Sequence, residues 1–418
     1  MAPPNPVADV DTASASTTNR PAHPPLLREM NERYVLNTIR ALRPISRAEV
    51  ARQTGLSKPT VSLALTTLRT SGLVTAVGTE PGRPGRAGLL FEPVADAVLA
   101  VGLEIGVFGV RGALVDLDGT VVAERATPVP ERSPAAVIFS AVISTVEALA
   151  RAVERPTTDI VALVVGTPGV IHPSTGQLSQ AGTVPELDGS QPARALAGTL
   201  GLSVTVFNDV DLAAVAEQSE GPGREFDDFA VLWIGSGLGA ALVLDGRVHL
   251  GSRGGAGEVF DIPFADVVEA QGDGAQSGTV GIDASEGGTI ALAAALAAQH
   301  PTSVLRPPFD ALAILDSATF GDPLGVDVRD HLSRWIAWYA ATVTAVLDPQ
   351  LVVLAGPIGA HDALLATVGN ELGRLLAAPP RLVSSQLGDR SVLIGAIARA
   401  REDAEEIAFV TRSRERTP

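Results

Sequence analysis

LWIGSGLGAALVLDGRVHLGSRGGAGEVFD, residues Leu232–Asp261, is the stretch from which the fold can be worked out. Two short apolar runs, Ala230–Ile234 and Ala240–Leu244, predict buried strands. Between them, glycines alternate with small residues over Gly235–Gly239, and such glycines let the backbone turn sharply and present N–H groups to a ligand. Asp245-Gly246 then predicts a tight hairpin turn.

The second half of this stretch passes through four more glycines before it reaches Glu258, a single carboxylate in an otherwise neutral turn. The pattern fits a ligand-binding loop. It fits a tight hairpin followed by a flexible loop equally well, and the glycines alone do not separate these alternatives.

Composition limits the class of protein. A chain of 418 residues predicts two or three domains, and an apolar content of 46% is enough for large cores. No apolar run approaches the roughly 20 residues of a membrane span. Residues 1–24 are polar and rich in proline, so we expect a disordered tail and no signal peptide. The absence of cysteine excludes disulfides, thiolate zinc sites and cysteine nucleophiles, and we expect a cytoplasmic protein.

The charge is unevenly distributed along the chain. Residues 24–92 carry ten basic and five acidic side chains, whereas the whole chain has a net charge of −16. A basic segment attached to an acidic body indicates that only the N-terminal part meets a polyanion such as DNA.

Residues 25–92 have the pattern of a winged helix-turn-helix domain. A first helix precedes Ser46–Glu49, a capping box that opens a second helix, and Gly55 closes that helix. Ser57 can cap a third helix, whose first residues would enter the major groove of double-stranded DNA. The candidate DNA contacts on this helix are Ser57, Lys58, Thr60, Ser62 and Arg69.

Two predicted strands, Leu73–Val77 and Ala87–Phe91, bracket a loop that contains Arg83 and Arg86. A loop of arginines held by glycine and proline is suited to a narrow minor groove or to phosphate, so these two arginines complete the candidate DNA contacts. The alternative is a small helical domain that binds protein.

The sequence of residues 93–418 predicts an α/β body made of two similar halves. Three strands, a helix and a strand follow Ala97, and the same order recurs from Ala230 to Ala355. Two such halves suggest a cleft between them, with glycine turns at the strand ends facing it.

At this point the chain resembles the ROK family, in particular its xylose-repressor-like and N-acetylglucosamine-repressor-like regulators. The matching motifs are Gly166–Gly169, Asn208-Asp209, Gly235–Gly239 and Ala256–Glu258, in the family's order. The resemblance implies an N-terminal winged helix-turn-helix followed by a duplicated actin-like, ribonuclease-H-like sugar-kinase fold. It also implies a sugar site, and the residues carried over to that site are Thr167, Thr183, Asn208, Asp209, Glu258 and Asp261.

Asn208-Asp209 can be understood in two ways from the residues themselves. An amide and a carboxylate can bind the hydroxyls of a sugar. Alternatively, the pair is an N-terminal helix cap, since both residue types are favoured there.

Departures from the family's kinases bear on mechanism. The family's first phosphate loop has the pattern Asp-x-Gly-x-Thr-Lys, whereas this chain has Glu104 and Phe108 at two of those positions and no lysine. Pro357 replaces a glycine of the adenosine-side motif, and Asp261 stands where the family's zinc-site histidine does. We therefore expect no catalytic residues, no metal and no cofactor.

The sequence thus predicts a transcriptional regulator, a repressor of carbohydrate genes, that is controlled by a sugar. Its expected partners are a double-stranded DNA operator, a sugar effector and further copies of itself in a homodimer or homotetramer. The alternative is an ATP-dependent sugar kinase with an appended DNA-binding domain.

Overall fold

The computed structural model describes residues 24–79, 88–259 and 284–414, with side chains described over 27–79, 88–259 and 284–409. Arg83, Arg86 and Asp261 lie outside the described residues, as does nearly all of the predicted N-terminal tail. The chain divides into two compact units between Val94 and Ala95.

The first unit contains three helices and a three-stranded antiparallel sheet of order β1-β3-β2. The helix-interior apolar residues Val61, Leu65 and Leu68 are buried, as their spacing predicts. The elements are α1 (Pro24–Leu42), β1 (Ile45–Ser46), α2 (Arg47–Thr54), α3 (Lys58–Thr70), β2 (Val74–Thr79) and β3 (Leu89–Pro93).

Local capping explains the helix boundaries in this unit. Ser46 accepts the backbone N–H of Glu49, and Gly55 ends α2 in the left-handed conformation at φ 69°. The Glu49 carboxylate turns away to Arg52 and Gln53, so the predicted capping box is formed on one side only.

The second unit contains two lobes whose sheets have the same strand order. In the first lobe the order is β10-β7-β4-β5-β6, and in the second it is β13-β12-β11-β14-β15. Each sheet pairs an antiparallel meander with two parallel strands, so the predicted duplication is confirmed. The strands are β4 (Leu99–Gly106), β5 (Gly109–Asp116), β6 (Val121–Pro128), β7 (Ile160–Thr167), β8 (Val170–Ile171), β9 (Leu178–Ser179), β10 (Ser203–Asn208), β11 (Phe229–Ile234), β12 (Leu238–Leu244), β13 (Arg247–Val248), β14 (Leu351–Ala355) and β15 (Arg381–Ser384).

Helices cover these sheets and connect the lobes. The predicted hairpin at Asp245-Gly246 is confirmed, with both residues at positive φ. The sequence after this turn predicts a third strand over Arg247–Leu250, and in the structure that strand ends at Val248. The helices are α4 (Ala135–Ala152), α5 (Pro192–Leu200), α6 (Asp209–Ser219), α7 (Glu286–Leu296), α8 (Ala311–Thr319), α9 (Pro323–Leu347), α10 (Gly356–Gly359), α11 (Asp362–Leu375) and α12 (Ser391–Arg414).

The pair of helices α6 and α12 joins the two lobes. Helix α6 leaves β10 of the first lobe and packs on β11 and β12 of the second, while α12 packs on β4 of the first lobe and on α6. Glycines permit these close approaches: a Cβ on Gly395 would lie 1.8 Å from the carbonyl oxygen of Leu212, and one on Gly102 would lie 2.4 Å from the amide nitrogen of Ile397.

Helix α4 is the one described helix that is long and apolar enough to cross a membrane. Its residues Ile138, Val142, Val146 and Leu149 are buried in the core of the first lobe, where α4 packs on β5 and β6. This is the environment of a core helix in a globular lobe.

Candidate functional site

The end of β10 and the start of α6 form the centre of the candidate sugar site. The Asn208 side-chain oxygen accepts the N–H groups of Val210 and Asp211, at 2.8 and 3.3 Å, and its amide nitrogen donates to the Gly169 carbonyl at 3.0 Å. Asn208 is therefore the N-cap of α6 and ties it to the Gly166–Gly169 loop. Both lone pairs of the amide oxygen are therefore used, and one N–H of the amide nitrogen remains for a ligand.

Asp209 follows the cap and lies among carboxylates. Its pKa is raised from 3.8 to about 6, mainly by burial and also by the nearby charges of Glu104 and Glu258, while a hydrogen bond from the Val210 N–H opposes the increase. Three carboxylates from three segments therefore act on one region: Glu104 from β4, Asp209 from α6 and Glu258 from the glycine-rich loop. Such a cluster accepts the hydroxyls of a polyol, and a neutral member can also donate.

The other predicted sugar contacts lie in different surroundings. Thr183 is half-buried, and a Cβ on Gly237 of the second lobe would lie 3.6 Å from its methyl group, so Thr183 faces the opposite lobe. Thr167 is completely buried, and its hydroxyl donates to the Pro168 carbonyl at 3.4 Å. In this structure Thr167 supports the loop and has no exposed surface, and its contact with a sugar stays a prediction.

The glycine-rich loop of the second lobe packs closely on the first lobe. A Cβ on Gly254 would lie 2.1 Å from the Ile171 carbonyl oxygen, and one on Gly257 would lie 2.1 Å from that of Ala240. Both glycines have positive φ. These contacts fix the path of the loop just before Glu258, which explains the glycines as a packing requirement in addition to a possible ligand contact.

Asp211, one helical position beyond Val210, is a buried acid that the sequence analysis did not single out. The residue is 6% exposed. Burial raises its pKa from 3.8 to about 8, with additional contributions from the charges of Asp209 and Glu258. Sequence alone gave little signal, because an aspartate in the first turn of a helix is ordinarily an exposed partner of the helix dipole.

Asp211→Asn should stabilise the protein increasingly as the pH rises from about 4 to about 8. Because the folded-state pKa is raised, the folded protein holds a proton that the unfolded chain releases in this window, and the unfolding free energy of the parent protein falls with pH. Asparagine removes that loss, and one pKa unit corresponds to about 1.4 kcal/mol. We expect a gain of about 2 kcal/mol or more at pH 8 in urea unfolding.

The comparison variant for this experiment is Asp209→Asn. The pKa of Asp209 is about 6, so the stability difference of that variant should be complete by pH 6 and remain constant above it. A stability difference for Asp211→Asn that does not change with pH would contradict the raised pKa.

The nucleotide side of the cleft keeps its backbone glycines. Gly235 lies against the Pro357 ring, and Gly356 has φ 81° with its Cα close to Ile234. The Glu286 N–H donates to the Gly235 carbonyl at 2.8 Å. The hairpin Gly235–Gly239 and the start of α10 are thus packed on one another, and the proline at 357 supplies no N–H donor.

Arg111 changes the account of the first phosphate loop. Its guanidinium pairs with Glu104 at 2.9 Å and with Asp389 at 2.8 Å, while Arg390 pairs with Glu124 at 2.8 Å. The sequence of this loop lacks the family's lysine, but the structure brings a cation to it from β5. That cation is already bound by two carboxylates, and Phe108 at the tip of the loop is 80% exposed.

Metal ligands do not come together in the part of the chain that the structure describes. No group of three or more histidine or acidic side chains there is arranged to hold an ion. The predicted loss of the zinc site concerns Asp261 and the segment after it, which the structure does not describe.

The candidate nucleic-acid face of the first unit is the exposed side of α3. Ser57 caps the helix through the Thr60 N–H and also bonds the Thr60 hydroxyl at 2.7 Å, and Ser62 accepts from Arg47 at 3.2 Å. These hydroxyls therefore stabilise the start of the helix, and part of their hydrogen-bonding capacity is already used within the protein. Lys58 and Arg69 are exposed at opposite ends of the helix.

Two residues on this face were missed by sequence reasoning. Leu63 is 53% exposed and Thr66 is exposed, and both lie on the side of α3 opposite its buried residues. An exposed leucine and a threonine methyl can contact thymine methyl groups in a major groove. The signal was available in the helical period, because positions 63 and 66 lie opposite Val61 and Leu68.

Comparison with known proteins places these features in a family. The family model described as "ROK family" matches residues 100–403. The chain belongs to the ROK family. This family assignment rests on the two-lobed unit, which is the part of the chain that the family model matches.

Relatives of this ROK protein include regulators. It is 25% identical over 387 residues to the N-acetylglucosamine repressor of Escherichia coli O157:H7, covering 89% of this chain and 92% of the relative. It is 24% identical over 388 residues to a putative xylose repressor of Caldicellulosiruptor, covering 89% and 96%.

Solved structures with the same fold include a regulator and a kinase. A ROK family transcriptional regulator, a homologue of the Escherichia coli MLC protein, superimposes with a TM-score of 0.73 at 21% identity over 93% of this ROK protein and 99% of that chain. A ROK glucokinase from Streptomyces griseus, in complex with glucose and AMPPNP, gives a TM-score of 0.58 at 23% identity over 73% and 99%. The two-lobed unit therefore has the α/β fold of ROK sugar kinases.

Proposed function

We propose that this ROK protein is a transcriptional regulator, a repressor of carbohydrate genes, whose DNA binding is controlled by a sugar in the cleft of the two-lobed unit. The observation that carries the proposal is the asymmetry of the cleft. The carboxylates Asp209 and Glu258 on the sugar side remain within electrostatic reach of one another. On the phosphate side, Arg111 is bound by Glu104 and Asp389.

The DNA-binding part of the proposal rests on the first unit. Its order of helix, short strand, two helices and a two-stranded hairpin is that of a winged helix-turn-helix, with α3 as the recognition helix. The net charge of +5 over residues 24–92 suits a polyanion. Relatives that are named repressors and that cover nearly the whole chain support the same function.

The sugar part of the proposal rests on Asp209, Glu258 and Thr183, with Asn208 positioning α6. A sugar bound between the lobes would interact with Glu258 of the second lobe and Asp209 of the first, so it would favour one degree of lobe closure over another. A ligand shifts such an equilibrium only through its different affinity for the two states. The proposed effector class, a neutral or N-acetylated monosaccharide, accords with the names of the relatives.

The second candidate function is a sugar kinase, which the fold similarity to a glucokinase favours. Phosphoryl transfer needs cationic and hydrogen-bonding groups free to receive phosphate oxygens. At the first phosphate loop the described cation is Arg111, and displacing Asp389 from it would be required before phosphate could bind. We therefore propose that the protein has no useful kinase activity.

Thermal-shift screening of the full chain tests the proposed function. The probes are D-glucose, D-xylose, N-acetylglucosamine and N-acetylglucosamine 6-phosphate, because a ligand bound only by the folded state raises the melting temperature. ATP turnover is measured with each sugar in parallel. ATP turnover with any of these sugars would contradict the regulator and support the sugar kinase. A melting-temperature increase without ATP turnover would support the regulator.

The double variant Arg83→Ala, Arg86→Ala should weaken operator binding about 10-fold or more and lower the salt dependence of binding. Each arginine that contacts a phosphate contributes roughly one unit to the slope of log K against log salt, so the slope should fall by about 2. The operator is first selected by the protein from a random DNA pool, and affinity is measured by fluorescence anisotropy at several salt concentrations.

The matched control for the wing variants is Arg151→Ala. Arg151 is a surface arginine of the acidic unit, with only a 3.7 Å contact to Glu147. Its loss should leave both affinity and slope unchanged. Equal salt slopes for the parent protein and the double variant would show that the wing does not contact DNA, and α3 would then be the part to test.

We also propose that the regulator acts as a cytoplasmic homodimer, since two copies match a pseudo-palindromic site.

A further inference from the structure

A second cavity lies beside β10, the edge strand of the first lobe's sheet. Its volume is about 300 Å³, at the lower end of the range of small-molecule pockets. Most of the lining side chains are apolar. They come from both lobes, and include Ile171, Val204, Val206 and Phe207 from the first and Leu250 from the second.

The polar feature of this cavity is the carboxylate of Asp211. The residue lines the cavity and is 6% exposed. Within the described residues its side chain has no hydrogen-bond partner, since the Asn208 cap uses only the backbone N–H of Asp211. Burying a carboxyl group without a partner costs free energy, and buried polar groups are ordinarily satisfied by protein, water or a ligand. The cavity is the space from which a partner could reach it.

The charges around the cavity favour a cationic partner. Asp209 and Glu258 act electrostatically on Asp211 and both are acidic. No arginine or lysine is among the described residues that line the cavity. His172 also lines it, and its Nδ1 is engaged with Ser174 at 3.1 Å. An ammonium group placed beside Asp211 would therefore meet several negative charges and no positive side chain.

We propose that this cavity, here called the Asp211 cavity, is a second small-molecule site that binds a compact, largely apolar ligand carrying one primary amine. The amine donates to the Asp211 carboxylate, and the apolar part of the ligand fills the space between β10 and Leu250. Asn208 lines this cavity as well as the candidate sugar site, whereas the sugar contacts Asp209, Glu258 and Thr183 do not line it, so the proposal does not rest on the proposed sugar specificity.

The position of the cavity allows a ligand bound there to affect the sugar site through a shared loop. The Leu250–Gly254 segment of the second lobe closes one side, and Gly254 lies against the Ile171 carbonyl of the first. Four residues later the same loop reaches Glu258. Occupation would therefore bias the loop that presents Glu258, which makes the Asp211 cavity a second effector site coupled to the first.

Calorimetry and thermal shift on the full chain test the proposal, with benzylamine, cyclohexylamine and 2-phenylethylamine as probes and benzyl alcohol as the uncharged isostere. At least one amine should raise the melting temperature by about 2 °C or more at millimolar concentration. Benzyl alcohol should bind at least about 10-fold more weakly. Because Asp211 is largely protonated at pH 7, amine binding should release close to one proton, measured from the buffer dependence of the enthalpy.

Two variants distinguish the contribution of the Asp211 carboxylate to binding from that of the cavity volume. Asp211→Asn keeps the shape and should lose both the proton release and at least about 10-fold in amine affinity. Ala193→Phe fills the cavity from α5, where Ala193 lines it, and should lose binding of every probe. Asp227→Asn, at an exposed aspartate of the same unit, should retain amine binding. No melting-temperature shift with any amine, equal binding of benzyl alcohol, or an unchanged affinity in Asp211→Asn would each overturn the proposal.

Discussion

Asp209→Asn should abolish the response of operator binding to sugar while changing operator affinity itself by less than about 2-fold. The carboxylate lies at the start of α6, among the charges of Glu104 and Glu258, and is the group that we propose to bond a sugar hydroxyl. A hydrogen bond from a charged group contributes about 1.5–3 kcal/mol, so sugar affinity should fall about 10- to 150-fold. Isothermal titration gives the affinity, and fluorescence anisotropy with added sugar gives the response.

The asparagine keeps the shape of the first turn of α6, and the Asn208 cap does not depend on the Asp209 side chain. A loss of sugar binding is therefore not a loss of the helix. Asp227→Asn is the matched control, because Asp227 is an exposed aspartate of the same unit. Retained sugar affinity in Asp209→Asn would remove this residue from the site. Loss of operator binding would show that the Asp209 side chain is needed for the fold, and the variant would then not identify a sugar contact.

Gly395→Ala should be the most destabilising of the single substitutions considered. The added Cβ would lie 1.8 Å from the carbonyl oxygen of Leu212 and 2.6 Å from its carbonyl carbon. Both are backbone atoms of α6, so no side chain can rotate to make room and α12 must move. Overpacking of this kind costs about 3 kcal/mol. We expect a melting temperature lowered by about 5 °C or more in differential scanning fluorimetry.

Gly373→Ala is the control for this substitution. Gly373 lies within α11, and a Cβ at that position meets nothing within 4 Å. Alanine there should be neutral or stabilising by about 0.4–1 kcal/mol, because it restricts the unfolded chain. Equal melting temperatures for the two variants would mean that α12 does not approach α6 as closely as described. A specific effect of Gly395→Ala would identify the α6–α12 contact as the joint between the lobes.

Several parts of the site could be predicted because they depend on local sequence. Asn208 at a strand end, followed by a helix, predicts an N-cap as one of two alternatives, and the structure contains that cap, while the contact of Asn208 with a sugar stays a prediction. Gly235–Gly239 between two apolar runs predicts the hairpin found between β11 and β12. Caps and hairpins are decided within a few residues, so the pattern carries the necessary information.

Other parts could not be predicted, since they bring distant residues together. Arg111 and Asp389 are separated by 278 positions, and their ion pair places a cation at a phosphate loop that had seemed to lack one. Thr167 belongs to a motif, yet it is completely buried in this structure. Asp211 resembles an ordinary first-turn acid until the walls of its cavity, from both lobes, are assembled around it.

The sequence by itself determined the repeated α/β plan, the caps of the helices, the division between a basic and an acidic segment, and the family. Each of these follows from periodicity, composition or short motifs, which are properties of neighbouring residues. Only the tertiary structure decided which charges neutralise one another, which motif residues are buried, and where a carboxylate is left without a partner. Electrostatic pairing and burial depend on distances through space, and those are set by how α6 and α12 bring the two lobes together.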